Sequence, residues 1–126
     1  MSLAAYKLLH VAGAVFLFAA LGGSVLVHWS GGASDRARKV AGITHGLALL
    51  LVAVAGFGAL ARFMGDATNQ LSYWEFWLWG KILIWFLLGG APFLLRKKPQ
   101  LAGVFWWLLP LLGAAAAWLA LYKPVW

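Results

Sequence analysis

A chain of 126 residues that is 64% hydrophobic and only 10% charged, with a mean hydropathy of +0.88, carries more apolar surface than one soluble core of this size can hide. Ten Lys and Arg against three Asp and Glu give a net charge of +7. The basic residues gather in short loops, so the charge points to membrane topology and anionic headgroups rather than to nucleic acid. With no cysteine the chain has no disulfide, thiolate metal site, iron–sulfur cluster or c-type haem attachment.

The first apolar run predicts a spanning helix over residues 3–29, retained rather than cleaved because the run is too long for a signal-peptide core and no small-x-small site follows it. Tyr6 and Lys7 mark one interface and Trp29 the other. His10 and His28 are 18 residues apart, five whole turns at ~3.6 residues per turn, so they share a face with Gly13, Leu17, Leu21 and Ser24. This small, polar-tinged stripe is the face expected to look into a bundle.

Gly31 and Gly32 end that helix, and Ser34 or Asp35 caps the next, predicted over residues 35–63. Gly42 and Gly46 flank Thr44 and His45, and Gly56 and Gly58 follow. Both pairs are expected to permit close helix approach. The segment 64–71 is polar. Ser72 and Glu75 have capping-box spacing ahead of a third helix over residues 73–95. That helix carries Lys81, roughly 10 to 14 Å below the interface by the helical rise. Arg96, Lys97, Lys98 and Pro99 form the last loop, and a fourth helix is predicted over residues 101–121, with a kink at Pro110. The first and third loops hold six of the ten basic residues. The positive-inside rule then places both termini on the non-cytoplasmic side of what would be a bacterial inner membrane. The expected fold is all-α: one integral membrane four-helix bundle.

Within such a bundle, intramembrane polar groups are where function is sought. His10 and Lys81 are expected at one depth, and His28 and His45, more loosely, at another. A neutral imidazole can ligate haem iron, and bundles build cofactor sites from facing helices. His10 is the first candidate ligand and His45 the second, both also candidates for a metal, with His28 a third. Lys81 could meet a propionate, and Trp74, Trp77 and Trp85 could wall a flat ring; the alternative is that the tryptophans pack against lipid and neighbouring helices. The equal alternative for His10 is a hydrogen bond to a carbonyl across the bundle.

The run Tyr6-Lys7-Leu8-Leu9-His10, Thr44-His45 early in the second helix, and Trp79-Gly80-Lys81 followed by Arg96-Lys97-Lys98 resemble the SirB family of small four-helix membrane proteins. A looser likeness runs to the HemJ protoporphyrinogen oxidases and the CopD copper-resistance proteins. The Lys-x-x-His start and third-helix lysine are similar to the HemJ pattern. That resemblance implies b-type haem at His10 with Lys81 nearby, in electron transfer or porphyrin redox chemistry.

The rival expectation is a non-catalytic subunit that packs within a larger membrane complex or with its own copies. Copper handling through His10, His28 and His45 is a third, weakened by the lack of Cys and of a Met cluster. Whether the chain is an enzyme is left open. A hydrolase is excluded by the lack of a nucleophile–base–acid set and of a phosphate-binding loop.

Overall fold

The computed structural model describes residues 2–31, 35–64 and 76–122. Helix α1, Leu3–Ser30, starts where the Ser2 hydroxyl accepts the Ala5 N–H at 3.1 Å, a side-chain cap on an otherwise orphaned donor. It stops at Gly31, whose φ of 71° turns the chain left-handed while its N–H donates to Val27 O. Helix α2 spans Asp35–Met64 with Asp35 in its first turn, where a carboxylate suits the positive end of the helix dipole. Gly32 and Ser34 lie outside the described residues.

Helix α3, Phe76–Lys97, reaches two residues further than the expected 95. Its predicted start at 73 lies outside the described residues, as do Ser72, Trp74 and Glu75. Pro99 then opens a single 3-10 turn, Pro99–Leu101, and α4 follows at Ala102–Tyr122. The fourth helix therefore begins one residue later than expected, since proline's fixed φ suits the tight first turn. It continues helical through Pro110.

All four helices are long and apolar enough to cross a bilayer. Between 17% and 33% of each span's apolar window is covered by protein, so most of every helix surface is left for lipid. In water this would be untenable; in a bilayer it is the expected state.

The helices alternate in direction. His45 meets Leu88 while Leu49 meets Trp85, which sets α2 and α3 antiparallel. Trp29 lies against Gly103 and Phe18 against Gly113, which does the same for α1 and α4. Helix α1 touches every other helix and packs most closely on α2, whereas α2 and α4 do not meet among the described residues. The cross-section is thus a diamond with α1 and α3 on its short diagonal. Its core is Leu17, Leu21 and Val25 of α1, Leu88, Ala91 and Leu95 of α3, and Phe105 and Leu109 of α4.

The predicted inward stripe of α1 is the observed one: Gly13, Leu17, Leu21 and Ser24 are all buried. The glycines of α2 divide. Gly56 and Gly58 lie under the His10 and Tyr6 rings of α1, as expected of a close approach. Gly42 and Gly46 do not fit that expectation, because a Cβ on either would meet nothing within 4 Å. The closest backbone approach is instead made from α1, at Gly13, where a Cβ would stand 3.2 Å from the Val52 nitrogen. Gly42 and Gly46 fall on the outward side of α2, and spacing alone could not say which side that was.

Candidate functional site

Each of the three histidines spends one ring nitrogen on a backbone carbonyl, and each on a different kind of partner. His10 Nδ1–H donates across to Val52 O of α2 at 2.8 Å. The ring lies over Gly56, where a Cβ would come within 3.0 Å of Cε1 and Nδ1, so the missing side chain makes the seat. A carbonyl can only accept, which fixes the neutral imidazole as its Nδ1–H tautomer and leaves the Nε2 lone pair uncommitted. This is the arrangement a metal-ligating histidine uses, with one nitrogen oriented by a backbone oxygen and the other presented to the metal.

Lys81 of α3 stands within electrostatic reach of the His10 ring. Trp85, one turn further along α3, donates its indole N–H to Leu49 O at 3.0 Å. Lys81 therefore falls near the level of Val52 on α2, which is the level of His10. The expected pairing of His10 with Lys81 is what the register gives.

The other pairing fails. His28 Nδ1–H turns back to Ser24 O of its own helix at 2.7 Å. The α1–α2 register that joins Gly13 to Val52 sets His28 beside the Arg36 end of α2, while His45 lies about nine residues on, ~13 Å along the axis. The depth estimate from helix starts missed this because it could not see which residues of α1 and α2 interlock, as Gly13 does with Val52.

His45 is 8% exposed and donates from Nε2 to Leu88 O of α3 at 3.1 Å. Leu88 is four residues before Pro92, the proline inside α3. Its carbonyl would ordinarily accept the N–H of residue 92, which proline lacks. His45 supplies the missing donor from the neighbouring helix. Sequence reasoning did not connect the two, although a proline four residues after a buried position in an apolar helix is a visible signal of a vacated carbonyl.

The aromatic wall falls partly within the described residues. Trp85 is half-buried, tied to α2, and edge-on to Phe86 with ring centroids 5.0 Å apart. Leu88 is buried in the core. Trp74 and the Trp77 side chain lie outside the described residues. No group of three His, Asp or Glu side chains gathers as metal ligands among the described residues, so His10, His28 and His45 share no common centre.

Grooves open on the surface of the described residues, two of them between helix pairs. One, of about 590 Å³, lies between α1 and α4 and is lined by Phe18, Leu21, Phe105, Trp106 and Pro110. The other, of about 570 Å³, lies between the C-terminal half of α1 and the N-terminal half of α2. Neither borders His10 or Lys81.

Four antiparallel apolar helices, each long enough to span a membrane, with one ring nitrogen of each of three histidines held on a backbone carbonyl, define a small all-α bundle of the membrane-spanning type. Comparisons with protein-family models, with curated proteins and with solved structures find no match for the chain.

Proposed function

We propose that the chain is an integral membrane b-type haem protein, with His10 Nε2 as an axial ligand and Lys81 beside it to meet a propionate. The observation that carries this reading is the His10 ring: oriented through Nδ1–H on Val52 O, open at Nε2, and level with a lysine. Haem held there would supply one-electron chemistry within the membrane. Gly56 gives the imidazole room, Val52 O sets its tautomer, and the surrounding apolar helices exclude water. In this reading the basic first and third loops face the cytoplasm and both termini lie outside.

The test is a visible spectrum of detergent-purified protein, oxidised and dithionite-reduced. A Soret band with sharp reduced α and β bands is expected in the wild type and lost in His10→Ala. A His10→Ala protein with an unchanged haem spectrum would remove His10 from the assignment.

A second reading, a non-catalytic subunit of a larger membrane complex, draws on His45. That side chain donates to the Leu88 carbonyl of α3, an architectural use of an intramembrane histidine that supports this reading. A colourless protein that co-purifies with stoichiometric partners is the outcome that reading expects.

A further inference from the structure

The groove between α1 and α2 lies at the opposite end of α2 from His10. Its walls are Ala19, Ala20, Gly23 and Val27 of α1 with Val40, Ala41 and Thr44 of α2, and Arg36 lines it at the basic end. It runs along the helices from the basic end toward the middle of the span and is open outward. Arg38 and Lys39 follow Arg36 in the first turns of α2, all three exposed. Arg96, Lys97 and Lys98 lie at the same end of the bundle, where Asp35 is the acidic residue.

Lys97 rests over the Phe93 ring, 4.8 Å from its centroid. Arg36 makes no ion pair among the described residues, so its guanidinium is available at the basic end of an apolar channel. The chemistry of such a channel is that of one molecule type: an acyl chain attached to an anionic phosphate. Basic pockets between apolar helices are where anionic lipid headgroups settle, and a guanidinium grips a phosphate in bidentate fashion.

The geometry points to a specific site for an anionic phospholipid, its phosphate on Arg36 and one acyl chain along Gly23, Val40 and Ala41. A zwitterionic lipid would fill the same channel but would gain less from the Arg36 guanidinium that lines it.

The site is tested on the detergent-purified full chain by native mass spectrometry, titrating palmitoyl-oleoyl-phosphatidylglycerol against phosphatidylcholine of the same chains. Wild-type protein should retain the anionic lipid several-fold better. Arg36→Gln should lower that retention by about fivefold, the worth of one basic side chain at an anionic surface. Gly23→Leu should lower it as well, by filling the channel. A Cβ at Gly23 meets nothing within 4 Å, so the substitution occupies open space and leaves the core alone. Arg96→Gln, at the same end but outside the groove, should leave retention near wild type.

Equal retention of the two lipids would overturn the site. So would Arg36→Gln and Arg96→Gln behaving alike, which would reduce it to general surface charge. A Gly23→Leu protein that loses a dimer while keeping its lipid would assign the groove to a second copy instead. Should Gly23→Leu lower the yield, Arg36→Gln decides alone, since Arg36 is exposed.

Discussion

A histidine in an apolar helix is ambiguous until its hydrogen bonds are known, and here the three histidines resolve differently. His45 and Pro92 form a matched pair: proline withdraws a donor from Leu88 O and the imidazole returns one. An orphaned carbonyl in an apolar interior costs about 1–3 kcal/mol, more than the ~0.6 kcal/mol average worth of an interhelical bond between groups that have alternatives. His45→Ala should therefore destabilise the bundle by about 1–2 kcal/mol in SDS-titration unfolding. Pro92→Ala restores an N–H to the helix, so the same His45→Ala change made in that background should cost much less. A double-mutant cycle measures the difference. Additive effects of the two substitutions would show that His45 does not serve the vacated carbonyl.

His10 differs because Val52 O has its own helical donor, so the imidazole bond is supplementary. His10→Ala should accordingly cost less stability than His45→Ala, under about 1 kcal/mol. The spectral loss expected of it would then not come from unfolding.

Between elements, the α1–α2 interface is the tightest in the molecule, and its closeness depends on particular glycines. Gly13 sits against both the backbone and the side chain of Val52 at 3.1–3.2 Å from where a Cβ would be. Gly13→Val should force the helices apart and destabilise by about 1–3 kcal/mol, as overpacking does. Gly46→Ala, on the open side of α2, should be neutral or stabilising by up to about 1 kcal/mol through helix propensity. Both are read from the same detergent-unfolding titration. The small-xxx-small spacing is identical at Gly42/Gly46 and at many true interfaces, so the pattern marks where an approach is permitted, not where it happens.

For the whole molecule, alternating helices place the first and third connections at one end, with the basic side chains. The chain has no cysteine, so single-cysteine labelling in intact cells is clean. Ser2→Cys should react with a membrane-impermeant maleimide from outside, and Lys98→Cys only after permeabilisation. The reverse pattern would invert the proposed orientation.

Length and composition settled the helix count, the apolar spans and their approximate ends, because spanning length and hydropathy are local properties of the chain. The 3.6-residue period also identified the buried stripe of α1, since a face follows from spacing within one helix. What the tertiary structure alone decided is the register between helices. It set His10 level with Lys81 but drew His28 and His45 apart, turned Gly42 and Gly46 outward, and brought His45 to the one carbonyl Pro92 had freed. Register depends on how side chains of different sizes interlock across an interface and on how each connection turns. No periodicity within a single helix contains that information.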